Sequence, residues 1–200
     1  MTSRAHGAST TITRTTRETH VTVELDPKAP GLDVAVPTFG HFLNACLTTW
    51  GYPARVEAQG DIEVDPHHLV EDVGMVLGQA LTKRWPGYRD IARYGWAVVV
   101  MDDARAEVAI DLSGRAGSYL GQVPDGPVNG LDSEVFQEFW HGLARGAELT
   151  VHLTIPTGLN RHHRWEAAFK ALGLALRQAT APRVGTLSTK GVIGRAGGDC

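Results

Sequence analysis

A chain of 200 residues, 42% of them hydrophobic, can build one large domain or two small halves that share a core. A net charge of -3 and a pI near 6.3 leave no basic surplus of the kind general nucleic-acid binding needs. Two cysteines, Cys46 and Cys200, exclude a disulfide framework and point to a reducing compartment. Met1 to Thr10 has no apolar core like a signal peptide, and no stretch approaches the roughly 20 apolar residues of a membrane span. We expect a cytoplasmic protein with neither membrane nor nucleic acid as partner.

Residues 1–10 read as a disordered start. Thr11 to Leu25 alternates, rich in threonine and valine, and reads as a strand that carries Glu18 and ends at Asp26-Pro27. Leu32 to Val36 reads as a second strand. Thr38 to Thr49 places Phe39, Phe42, Leu43, Cys46 and Leu47 at helical spacing, with His41 near its start. Arg55 to Val64 alternates again, and Asp65-Pro66 opens a helix that runs through Val73, Leu77 and Leu81. The second half repeats the order. Tyr94 to Met101 and Glu107 to Leu112 are strands, Ser133 to Ala144 is a helix capped by Ser133, and Leu149 to Ile155 is a strand bearing His152. The Gly- and Pro-rich stretch from Gly114 to Gly130 and the tail after Gly191 need no fixed structure.

The strongest signal is a motif used twice. His67-His68-Leu-Val-Glu71 returns 95 positions later as His162-His163-Arg-Trp-Glu166, and at the same offset Leu172, Gly173, Ala175 and Leu176 fall on Leu77, Gly78, Ala80 and Leu81. On a helix, Glu71 lies one turn from both His67 and His68, while the two imidazoles diverge by about 100°. Each helix therefore offers ligands in two directions. Imidazoles and carboxylates suit Mn, Fe, Ni or Zn better than Ca or Mg. The repeat implies an internal duplication, with half-repeats 11–92 and 93–192 and a flexible tail 193–200; each half is a sheet plus two helices, and the two pack as one α+β unit. Adding His41 and His152 yields six imidazoles and two carboxylates, enough for two sites of three His and one Glu. Diverging neighbours leave one chain unable to close such a site, so a second subunit is expected to supply ligands. Arg93, Arg115, Lys170, Ser188 and Lys190 could hold a phosphate, since guanidinium forks and turn amides match its oxygens.

Taken together, Arg17-Glu18-Thr19, the His41 helix, Asp65-Pro-His-His-Leu-Val-Glu-Asp-Val-Gly74, Met101-Asp102-Asp103, Asp111-Leu-Ser-Gly-Arg115, Asn160-Arg-His-His-Arg-Trp-Glu166 with Phe169-Lys170, and Ser188-Thr-Lys-Gly191 resemble the imidazoleglycerol-phosphate dehydratase family over roughly residues 12 to 192. The resemblance implies a lyase of histidine biosynthesis with two Mn ions per subunit, other divalent transition metals being possible. It implies a duplicated fold like that of ribosomal protein S5 domain 2, and a 24-subunit shell with sites between subunits. It implies metal ligands His41, His67, His68, Glu71, His152, His162, His163 and Glu166. Glu18, Glu71 and Glu166 would be the catalytic carboxylates, with Glu18 against the substrate's polar centre. Arg93, Arg115, Lys170, Ser188 and Lys190 would hold the phosphate of a small substrate.

Departures from the family pattern cluster around the implied position of the substrate's hydroxyls. Aspartate, glutamine and histidine are usual where this chain has Gly40, Ala45 and Trp50, and glutamate is usual at Asp103. A paralogue acting on another phosphorylated compound is the alternative these positions raise. Pro156-Thr-Gly-Leu159 is similar to a kinase phosphate loop, but the Asn-Arg-His-His that follows lacks the small residues needed to cradle phosphates. A metal-binding shell protein without catalysis would have no need of Arg115.

Overall fold

The computed structural model describes residues 9–185, 187 and 188. Two four-stranded sheets follow the same plan. The first contains β1 (Thr10–Thr15), β2 (Thr19–Leu25), β3 (Gly31–Val34) and β4 (Ala54–Gly60) in the spatial order β1-β2-β4-β3. The second contains β5 (Tyr94–Met101), β6 (Ala104–Asp111), β7 (Gly117–Gly121) and β8 (Thr150–Thr157) in the order β5-β6-β8-β7. In each, a hairpin is followed by a parallel pair whose crossover is a helix: α1 (Pro37–Trp50) between β3 and β4, and α3 (Ser133–Ala147) between β7 and β8. A second helix then closes each half, α2 (His67–Arg84) and α4 (Arg161–Ala179).

The halves are interlocked through their helices. α2 covers the inner face of the first sheet and α4 that of the second, while α1 packs on α4 and α3 packs on α2. Glycine permits these close approaches. A Cβ on Gly78 would collide with the backbone of Leu143, Gly146 and Ala147, and one on Gly173 with the backbone of Cys46 and Trp50. Phe39, Phe42, Phe136, Phe139, Trp165 and Phe169 fill the centre, all buried.

Several boundaries differ from expectation. The Thr11–Leu25 segment is two strands, because Thr16 turns the chain: its hydroxyl accepts from the amides of Glu18 and Thr19. Glu18 therefore sits on a hairpin tip. Thr10 already pairs with Leu25, so order begins earlier than residue 11. The stretch 114–130 contains β7, whose pairing with β8 outweighs its glycine content. The β4 strand ends at Gly60, before Val64. Ser133 is the first helical residue; Asp132 is at the cap position, and the Ser133 hydroxyl instead bonds the Gly126 carbonyl. Lys190 and the expected tail lie outside the described residues. No helix among the described residues is long and apolar enough to cross a membrane.

Candidate metal centre

Both histidine pairs occupy the first turn of their helices, each preceded by a side chain that fixes the helix start. The Asp65 carboxylate accepts from the His67 amide at 2.9 Å, and the Asn160 side chain accepts from the amides of His162 and His163 at 2.8 and 3.4 Å. The duplication thus includes the polar side chain two residues before the first histidine as well as the histidines.

The α1–α4 packing brings His41 to His162 and Glu166. The Nε2 atoms of His162 and His41 stand 3.2 and 3.5 Å from Glu166 Oε2, and the two imidazole rings are 5.1 Å apart. One ligand atom from each of the three residues lies within 4.8 Å of the others. Donors about 3 Å apart are what bonds of roughly 2.1 Å demand around one ion, and two imidazoles with a carboxylate are a borderline-soft set. These residues fit a first-row transition metal. Burial alone would raise the carboxyl pKa of Glu166, but the Lys170 ammonium at 2.7 Å and His41 outweigh it and leave the pKa lowered. This carboxylate is therefore ionised.

The first half is arranged differently. His67 Nε2 faces Glu138 Oε1 at 3.5 Å, His68 Nδ1 faces Glu18 Oε2 at 3.1 Å, and Glu71 is ion-paired with Arg145. Among the described residues the expected eight ligands thus converge as one group of three. His152 is on the outer face of β8, stacked on Tyr119 with ring centroids 4.6 Å apart, while its neighbours Val151 and Leu153 point into the core. The sheet stands between His152 and the helices.

Glu138, Arg145 and the position of Asp103 were missed from the sequence. A Cβ on Gly78 meets Ala147 and one on Gly173 meets Trp50, so α1 and α3 correspond at an offset of 97 and Glu138 holds the place of His41. Asp103, on the β5–β6 turn, accepts from His163 Nδ1 at 2.7 Å and from the amides of Leu159 and Asn160 at 2.5 and 3.2 Å. Those bonds hold its carboxyl far below the ordinary range.

The phosphate candidates divide. Arg93, nearly buried, makes a bidentate pair with Asp111 at 2.6 and 2.9 Å and donates to the Leu187 carbonyl at 2.6 Å. That leaves two of its five N–H groups. The Arg93 carbonyl accepts from Leu112, so Arg115, three residues further, and the start of the Ser188 segment share this corner. Lys170 belongs elsewhere, on Glu166 and near Met101.

Of the departures, Trp50 is removed from the site altogether. It lies nine residues beyond His41, about 13 Å along the helix, with its indole buried, stacked on Tyr52 and donating to Thr180 at 3.1 Å. Gly40 has room for a side chain, since a Cβ there meets only Val34 at 3.6 Å.

The comparisons with known proteins agree with this geometry. The family model for imidazoleglycerol-phosphate dehydratase matches residues 35–176. The imidazoleglycerol-phosphate dehydratase of Halorhodospira halophila is 43% identical over 91% of this chain and 96% of its own length, and that of Lacticaseibacillus casei 42% over 92% and 98%. The crystal structure of IGPD from Pyrococcus furiosus superposes with a TM-score of 0.82 at 37% identity, covering 91% of this chain and 100% of that one. The Staphylococcus aureus imidazoleglycerol-phosphate dehydratase does so at 0.77 and 30%, covering 88% and 99%. With a duplicated fold, paired HHxxE helices and relatives matched from end to end, this chain belongs to the imidazoleglycerol-phosphate dehydratase family.

Proposed function

We propose that the protein dehydrates imidazole glycerol phosphate to imidazole acetol phosphate in histidine biosynthesis, using two Mn ions per subunit in the cytoplasm. The observation that carries this reading is the convergence of His41, His162 and Glu166, in a chain whose relatives bear that enzyme's name. His67, His68, Glu71, His152 and His163 complete the ligand set in the assembled protein. When bound, the ions supply positive charge that stabilises negative charge on the imidazole ring. Glu18 takes the proton from carbon, with Glu71 and Glu166 as the other carboxylates of the site. Loss of that proton and of the neighbouring hydroxyl as water leaves an enol, which becomes the ketone. Arg93, Arg115, Ser188 and Lys190 hold the phosphate. Lys170 sits at the metal group and neutralises Glu166.

Self-association into a 24-subunit shell, with sites between subunits, is supported by the outer face of the second sheet. Trp96, Val98 and Val100 on β5 are 66, 60 and 69% exposed. They share that face with Tyr119 and His152, and such apolar exposure marks an interaction surface. A copy docked there would bring His152 to a neighbour's helices. The paralogue reading loses one of its four supports with Trp50 buried in the core. The test is turnover of imidazole glycerol phosphate by chelator-treated protein before and after Mn is restored. Metal-dependent release of the ketone is expected, and a fully assembled, Mn-loaded protein without turnover would overturn the reading.

A further inference from the structure

The two hairpin tips are arranged alike. Glu18 and Asp103 lie 85 positions apart, as do the strands that flank them, and each carboxylate faces Nδ1 of the second histidine in its half's motif, at 3.1 Å on His68 and 2.7 Å on His163. Asp103 is the more firmly held, because its other oxygen accepts the two amides of the loop leading into α4. A turn of β5–β6, the start of α4 and one imidazole are thereby tied at a single side chain.

We propose that Asp103 is a positioning residue for His163, accepting the Nδ1 proton so that the Nε2 lone pair is the one presented to metal. This rests on the metal-dependent reading above. An imidazole has one lone pair to give when neutral, and the hydrogen bond at the opposite nitrogen decides which atom carries it. Asp102 also approaches the ring, 3.6 Å from Nε2, but it is outside hydrogen-bonding distance and 70% exposed, so no group among the described residues claims that nitrogen. Asp103 is thus the group that selects the tautomer. Glu18 at His68 shows that a glutamate on the equivalent tip reaches the same atom.

Asp103→Asn separates orientation from folding. The loop amides still have one oxygen to bond, which turns the new NH2 group toward Nδ1 and forces that nitrogen to accept. The proton then moves to Nε2. Solid-state 15N spectra of the sedimented, metal-free assembly, with His163 assigned by difference against His163→Asn, read the tautomer directly. Competition against a chelator reads the affinity for Mn. The expected result is a switch from the Nδ1–H to the Nε2–H form in Asp103→Asn, with Mn affinity about 10–100-fold weaker. Asp103→Glu keeps the Nδ1–H form and most of the affinity, and Asp102→Asn leaves the tautomer unchanged. The proposal is overturned if Asp103→Asn keeps the Nδ1–H form with wild-type affinity, or if Asp102→Asn shifts the ring as far. A wild type that binds no Mn refutes the metal-dependent reading instead, and the tautomer spectra then still decide the role of Asp103.

Discussion

The two sheets share a plan and differ on their outer faces. Thr11, Thr13 and Thr15 on β1 correspond, 85 positions on, to Trp96, Val98 and Val100 on β5. Their cross-strand partners correspond as well: Glu24, Thr22 and His20 in the first half, Ala109, Glu107 and Arg105 in the second. On the next strand, Arg55 pairs with Glu24 where His152 pairs with Ala109. Inward-facing positions remained apolar in both copies because both sheets cover helices. Outward-facing positions were free to differ, one copy exposing threonines and the other Trp96, Val98 and Val100. The proposed ligand set differs between the halves too: the motif histidines are duplicated, but His41 has Glu138 as its counterpart and His152 has Arg55. A site built from this chain is therefore not two equal halves, and how unequal they are can be measured.

Removing one motif histidine from each half is the largest perturbation. His67→Ala and His163→Ala should each reduce Mn retention by more than the roughly 100-fold that loss of an outer partner costs, with turnover falling alongside. Elemental analysis of the two purified variants checks it. Full Mn in His67→Ala but not in His163→Ala would confine metal binding to the second half.

Charging equivalent outer-face positions tests the divergence of the sheets. Val98→Lys should break assembly into smaller species in sedimentation velocity, because it would bury an unpaired charge at the proposed apolar interface. Thr13→Lys, on the hydrated face, should leave the sedimentation coefficient unchanged. Equal behaviour of the two variants would remove the argument that only the second sheet docks.

The helix crossings should instead be alike. Gly78→Ala and Gly173→Ala each force a methyl group against a backbone at equivalent crossings, and overpacking of that kind costs about 1–3 kcal/mol. For a chain of this size that is a fall in Tm of roughly 2–12 °C by calorimetry. A large effect in one crossing only would mean that the interlock is not symmetric.

Ala45→Gln is the smallest change. It lies one turn from His41 on α1 and is only partly buried. A dehydratase whose metals, Glu18 and phosphate groups are in place should keep kcat within a few-fold. A gain well over ten-fold, about 1.4 kcal/mol, would revive the paralogue reading.

The sequence by itself determined the duplication, the helices that carry His67 and His162, the strand carrying His152 and the chemical type of the ligands. Those follow from local periodicity and from which atoms bind which metals, and neither needs long-range contacts. The residues themselves nominated eight ligands, of which the fold gathers His41, His162 and Glu166, and the matching relatives support the family. Only the tertiary structure decided which half each helix packs against, because a hydrophobic stripe is equally satisfied by either partner. That choice brings His41 to Glu166 across the halves. It also decided that Glu18 is on a tip rather than within a strand, since a threonine hydroxyl that turns a chain has no periodic signature, and that Asp103, on the turn between two expected strands, reaches His163. The burial of Trp50 was hidden because its place in the family pattern said nothing of which way the end of α1 faces.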